Sequence, residues 1–283
     1  MTTKKLLTLC SFALLTLVFF SCKKEDVAAN VAEIETTFEL SGNQAVADNL
    51  TQDAVDVVEE AAGRNNLLGQ TPPGVVTTNN WLPPCAVITI TGNFPAKNIK
   101  IDFGTGCLSP NGVFRKGIIN IVLTDSVRNT GSTATITFDN YYVNGYKKEG
   151  TITWTNITQS GSNRKWTRNV ANGKITAPNG NYWLHTANLT FEQTIGGNTP
   201  LNITDDVYEI TGTRTVTNSA GRTRTSTTQT ALQKKTACAN IDKGILSVQG
   251  PNHTAVIDFG DGTCDNLATI SIDGRPARTI LLR

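Results

Sequence analysis

Histidine and methionine are nearly missing from this chain of 283 residues, which has two of the first and one of the second. With only His185 and His253 to recruit, and no Gly-x-Ser-x-Gly elbow, a Ser-His-Asp nucleophile site finds little support. No Cys-x-x-Cys spacing occurs, so the usual signature of structural zinc is missing, and neither a metal nor another cofactor is expected. An excess of one charge sign is also lacking. The 25 Lys and Arg against 23 Asp and Glu leave a formal net charge of +2, too balanced for a surface that tracks phosphates, so nucleic acid is not an expected partner. Downstream of residue 20 no apolar run approaches the length needed to span a bilayer. Helical periodicity between strands is missing from the C-terminal two thirds, which argues against a parallel sheet with crossover helices.

Threonine and asparagine, by contrast, make up roughly a quarter of the chain, a strand-and-turn composition. The N-terminus has Lys4 and Lys5, an apolar run from Leu6 to Phe20 of about 15 residues, and then Ser21-Cys22. This is a secretory signal pattern, too short for a transmembrane helix and ending at a cleavage-like site. Phe19-Phe20-Ser21-Cys22 resembles a bacterial lipobox, which implies lipidation of Cys22 and a membrane contact made by lipid alone. The Lys24-Glu25-Asp26 that follows is similar to the surface-export tag of Bacteroidota lipoproteins.

Residues 1–21 are thus expected to be a signal peptide and 22–84 a tether. Within the tether, Val46, Leu50, Ala54, Val57 and Val58 are spaced for one helix over 43–62. Gly69, Pro72-Pro73-Gly74, Asn79-Asn80 and Pro83-Pro84 then mark a linker. From 85 to 283 short β-branched and aromatic runs alternate with turn signals, the pattern of an all-β domain. The expected architecture is an antiparallel meander of hairpins forming a sandwich or strongly curved sheet. The clearest strands are 118–123, 133–142, 151–157, 184–194, 207–217 and 256–259. Asn111-Gly112, Asn144-Gly145, Asn172-Gly173, Asn179-Gly180, Gly196-Gly197 and Asp273-Gly274 supply the positive-φ positions that tight turns demand. Arg222 to Thr230 has β propensity but no apolar face, and is expected as a solvated edge hairpin whose arginines blunt edge pairing.

Cys85, Cys107, Cys238 and Cys264 remain once Cys10 and Cys22 are assigned to the signal and the anchor. Their spacing alone leaves three connectivities open. An internal repeat favours one of them. Both units open with Cys-Ala and close with Ile-Asp-Phe-Gly-x-Gly running into a cysteine, as expected for one hairpin used twice. Cys85 with Cys107 and Cys238 with Cys264 is the expected pairing.

Asp258-Phe-Gly-Asp-Gly-Thr-Cys-Asp265 could offer oxygens to Ca²⁺, but Thr105 replaces Asp261 in the first copy and the spacing is not that of an EF-hand. Asp side chains capping backbone N–H groups are the expected role. The same turn resembles the signature of PKD-type modules, a resemblance of one turn rather than a domain. Asp125-Ser126-Val127 matches a short Bacteroidota O-glycosylation acceptor but reads better as a strand end.

Glu149, Glu192, Asp205, Asp206 and Glu209 could be paired only by convergence in space, so a hydrolase of surface polymers is a secondary reading. Trp154, Trp166, Tyr182 and Trp183 fall in the central third and are candidate stacking platforms for sugar rings; core packing is the expected role for most of the aromatic residues there.

The lipobox and acidic tag, Ile101-Asp-Phe-Gly-Thr-Gly-Cys107, Phe114-Arg-Lys-Gly-Ile118, Tyr142-Val-Asn-Gly-Tyr-Lys-Lys-Glu-Gly-Thr151 and the closing Asp258 to Asp265 turn together resemble a family of uncharacterised Bacteroidota outer-membrane and surface lipoproteins. The resemblance implies a cell-envelope location and an all-β body. The expected function is a non-catalytic binding or structural role, with glycan binding as its sharper form. The expected partners are the membrane, through Cys22, and a glycan or an envelope protein. A protein-assembly role for the edge hairpin is a third reading.

Overall fold

A computed structural model describes residues 22–69, 81–199, 205–238 and 240–282, with side chains from residue 31 onward. The signal segment, the lipobox before Cys22 and most of the Pro/Gly linker lie outside the described residues. One helix comes first, α1 (Cys22–Arg64), followed by β1 (Val87–Thr91), β2 (Lys97–Asp102), β3 (Cys107–Leu108), β4 (Phe114–Leu123), β5 (Thr133–Val143), β6 (Tyr146–Asn156) and β7 (Lys165–Thr176). The second half adds β8 (Tyr182–Ile195), β9 (Val207–Asn218), β10 (Thr223–Lys235), β11 (Lys243–Gln249), β12 (Thr254–Asp261), β13 (Leu267–Ile272) and β14 (Arg278–Leu281).

All 14 strands belong to one open antiparallel sheet, neither a two-sheet sandwich nor a closed barrel. Each strand pairs with its sequence neighbour, except that β2 passes over the short β3 to pair with β4, which β3 also joins. The alternation of the strands puts Ile99, Ile101, Ile119, Ile121, Ile136, Ile152, Leu189, Val216, Leu246 and Ile257 on one inner face. α1 lies on that face. Its Leu40, Ala47, Leu50, Ala54, Val57, Val58 and Ala61 recur at helical spacing and share a single core with the sheet. The helix is thus longer than its apolar periodicity predicts and is part of the β body. It stops where Asn66 takes a left-handed conformation (φ 57°) and the Leu67 N–H closes on the Ala62 carbonyl at 2.8 Å.

The six expected strands are all present. Asn144-Gly145 forms a two-residue turn with φ of 47° and 85°, and Asp273-Gly274 (50° and 68°) forms the centre of a tight turn within the longer β13–β14 loop, closed by Arg275 N–H on the Ile272 carbonyl at 3.0 Å. Asn172-Gly173 does not turn the chain. It lies inside β7, where the register shifts against both β6 and β8, so its positive φ serves a bulge. A Cβ on Gly173 would stand 2.5 Å from His185 Nε2, so the bulge glycine is what makes room for that buried ring.

The segment expected as an edge hairpin is also placed differently. Thr223–Lys235 is an interior strand, paired with β9 on one side and β11 on the other. Its first inward residue, Arg224, is polar because it meets polar groups of α1. Buried Arg224 donates from Nε to Thr37 Oγ1 (2.9 Å) and from Nη2 to the Glu33 carbonyl (3.0 Å), and Arg222 donates to Thr36 Oγ1 (2.8 Å). The outermost strands of the sheet are β1 and β14.

Both expected disulfides are present, Cys85–Cys107 and Cys238–Cys264, with Cα–Cα distances of 6.0 and 5.3 Å. They close the hairpins β1–β2 and β11–β12. The Asp that caps each closing turn does the same work, since Asp102 accepts from Gly104 N–H and Asp258 from Gly260 N–H, both at 2.9 Å.

Candidate functional site

The interface between α1 and the sheet is polarised by charge. Moving across the inner face, β4 contributes Arg115, β6 Lys148, β7 Arg168, β8 His185, β9 Arg214 and β10 Arg224, all of them buried. The helix answers with acids and hydroxyls. Asp53 takes Arg115 through both oxygens, Thr51 Oγ1 accepts from Lys148 Nζ (2.8 Å), Gln52 Oε1 from Arg168 Nη1 (2.8 Å), and Asp48 pairs with Arg214 Nε (2.8 Å). Burial depresses the Lys148 ammonium to about 7, and the Arg168 guanidinium adds to this. His185, buried beside that lysine, is pushed down to about 3 by burial first and by Lys148 second, and it stays neutral at ordinary pH. Both side chains are buried, Lys148 against Thr51 of α1 and His185 against Gly173 of β7.

A second cluster at this interface is acidic. Asp56 and Glu59 of α1 and Asp206, just before β9, form one electrostatic group, near Arg128 in the β4–β5 loop and Arg164 before β7. Asp206 is held by Gln193 Nε2 (2.8 Å) and by the Tyr208 hydroxyl (2.7 Å), which donate to its two oxygens. Desolvation raises Asp56 to about 7, with Glu59 and Asp53 reinforcing the shift and the Gln52 hydrogen bond opposing it. Glu59 and Asp206 are also raised, again mainly by desolvation. The floor of the site is aromatic. Trp166 stacks on Phe191 (5.7 Å between centroids, 2° between planes) and meets Tyr208 edge-on at 5.5 Å, while Arg168 lies 4.2 Å over the Phe191 ring.

The four candidate platform residues are not brought onto one exposed face. Trp154 and Trp183 are core residues at 6% and 4% exposure, and Trp166 is half-buried among Trp154, Phe191 and Tyr208. Tyr182 points outward at the opposite end of the sheet, 39% exposed. The strand pleat decides this, since neighbours 182 and 183 must face opposite ways. Of the acids singled out by sequence, only Asp206 joins this cluster. Glu149 pairs with Lys147 (3.0 Å), Glu192 with Lys165 (2.7 Å), Asp205 accepts from Thr199 Oγ1 (2.8 Å), and Glu209 lies exposed. Asp56 and Glu59 were not visible as site residues, because they read as the solvated side of an amphipathic helix.

His253 contacts Asp273 at the far end of the sheet, remote from this cluster. The Asp258 to Asp265 turn caps itself, with Asp261 accepting from Thr263 N–H (3.1 Å) and Asp265 from Leu267 N–H (2.9 Å). Cys238, Asp242 and Cys264 form the only grouping at metal-ligand spacing among the described residues, and there the two sulfurs are bonded to each other. No protein-family model, curated protein or solved structure matches the chain.

Proposed function

We propose that the protein is a lipid-anchored cell-envelope lipoprotein, acylated at Cys22 and facing the exterior of the outer membrane, with a binding role and no catalytic one. The lipobox and the acidic tag support the address. Among the described residues no helix is long and apolar enough to cross a membrane, so lipid on Cys22 would be the attachment. Labelling with a radioactive fatty acid tests this. Label on the wild-type chain and none on Cys22→Ser is expected; equal label on both would overturn the anchor.

The observation that carries the binding role is the half-buried Trp166 with its polar neighbours. A half-buried ring bordered by carboxylates, an amide and guanidinium groups suits a ligand that combines an apolar face with many hydroxyls, which is the chemistry of a sugar. This moves the glycan site to Trp166 and Asp206, away from Trp154, Trp183 and Tyr182. Glycan-array binding that is lost in Trp166→Ala and weakened in Asp206→Asn is the expected result. Unchanged binding in both variants would overturn it.

A hydrolase is the second reading, favoured only by the grouping of Asp56, Glu59 and Asp206, whose carboxyls are all raised by desolvation. Release of reducing ends from a bound polysaccharide, abolished by Asp56→Asn, would replace the binding role with catalysis. The assembly role for the Arg222 to Thr230 hairpin is withdrawn, because that segment has a strand on each side.

A further inference from the structure

The hairpins of the sheet fall into two ends, and α1 leaves from one of them. Glu33 accepts hydrogen bonds from Asn252 N–H (2.9 Å) and His253 N–H (3.1 Å) in the β11–β12 turn, and Glu39 accepts from Asn218 Nδ2 (3.0 Å) at the β9–β10 turn. Eleven residues of the same helix separate Glu33 from Cys22, about 16 Å of helix at its usual rise. Trp166 and its neighbours lie at the other end.

On the outer face of the anchor end a continuous band crosses six strands. Leu108 of β3 pairs with Phe114 of β4, and they are 62% and 43% exposed. Two residues on along β4, Lys116 faces Tyr142 of β5, with its ammonium 4.1 Å from the ring centroid. Tyr142 faces Lys147 of β6, which faces Thr176 of β7, which faces the exposed Tyr182 of β8. Glu149 is paired with Lys147 within the band. Lysines that lie over tyrosine rings, next to exposed Leu and Phe, make a surface that is apolar in its body and cationic at its tips. That is the composition of a protein surface resting at a lipid–water interface. At the other end exposed Leu267 of β13 faces Leu281 of β14, while Phe94, Val122, Ile157 and Ile195 lie on four further elements, and no cross-strand pairing links these residues into a band.

We infer that this band lies on the bilayer, with Phe114, Tyr142 and Tyr182 among the acyl-glycerol region and Lys116 and Lys147 at anionic headgroups. Trp166 is then held away from the membrane. The inference rests on the proposed acylation of Cys22. Once the chain is anchored, the effective concentration of lipid is high, so a band too weak to bind vesicles by itself suffices to fix orientation.

The test uses the acylated full-length protein in vesicles of phosphatidylcholine and phosphatidylglycerol with brominated acyl chains, which quench nearby indoles. Tyr182→Trp is expected to add strongly quenched fluorescence over the unsubstituted protein, about twofold or more above that added by Ile157→Trp at the far end, the contrast expected of an interfacial aromatic against a solvated one. Lys116→Glu with Lys147→Glu is expected to abolish the difference. Equal quenching at the two positions, stronger quenching at 157, or none at either would overturn the orientation while leaving the anchor intact. A mass for Cys22 without acyl chains would overturn the anchor and the orientation with it.

Discussion

Arg115 shows how a single residue is committed by burial. Its guanidinium is fully enclosed and is satisfied by Asp53, Ser109 Oγ and the Trp81 carbonyl (3.0 Å), so its removal leaves a half-buried carboxylate without its cation. Arg115→Ala is expected to cost about 3–5 kcal/mol in urea unfolding, in the range for breaking one side of a buried pair. A loss under 1 kcal/mol would show that Asp53 finds water instead. Asp56 makes a different prediction, with a sign fixed by its proton. The folded chain keeps that proton up to about 7, whereas an unfolded aspartate releases it near 3.8, so this group weakens the fold as pH rises between those values. Asp56→Asn is therefore expected to add stability at pH 8 and little at pH 4, measured by denaturant midpoints at the two pH values. A uniform effect across that window would mean that Asp56 is ionised in the folded chain. Neither role is legible in the sequence, because an arginine on a strand and an acid on a helix are by default solvated.

The elements themselves were far more legible. Period-two alternation located the strands, and the repeated Ile-Asp-Phe-Gly motif identified two hairpins and their bridges. Replacing Cys85 and Cys107 together by serine is expected to lower stability by about 3 kcal/mol, the loop-closure value for this separation, with the other bridge intact. Equal thermal midpoints for the double variant and the wild type would contradict this. Gly117 marks an element feature that the pattern did not reveal. It sits in β4 at φ 87°, at a register shift, and a Cβ there would come within 2.1 Å of the Asn140 carbonyl oxygen. Gly117→Ala is expected to destabilise the fold by more than the ~1 kcal/mol of a simple glycine effect, read from the same denaturation curves, because the neighbouring backbone must move. Asn172-Gly173 looks identical to a hairpin turn in sequence. Only the length of the strands on either side tells a bulge from a reversal.

At the scale of the whole molecule, helix and sheet form one cooperative unit. Leu40, Leu50 and Val57 are buried in the same core as the inner isoleucines of the strands. Leu50→Ala is therefore expected to shift the transition of helix and sheet together by roughly 2–5 kcal/mol, as for a large-to-small core change. Far-ultraviolet circular dichroism and tryptophan fluorescence should give coincident urea curves, and a separate early transition would mean that α1 docks as an independent piece.

The sequence by itself determined the strand-rich class, the hairpin order, the bridge pairing and the existence of one helix, because each follows from local periodicity, turn chemistry or an internal repeat. Only the tertiary structure decided that the strands form a single open sheet, that α1 lies across its inner face, and that the arginine-rich strand is interior. It also decided that Asp56, Glu59 and Asp206 meet beside Trp166. The physical reason is the same in each case: charge and burial become informative only when the facing group is known, and here the facing groups come from a helix separated from the strands by 60 to 190 positions in the chain.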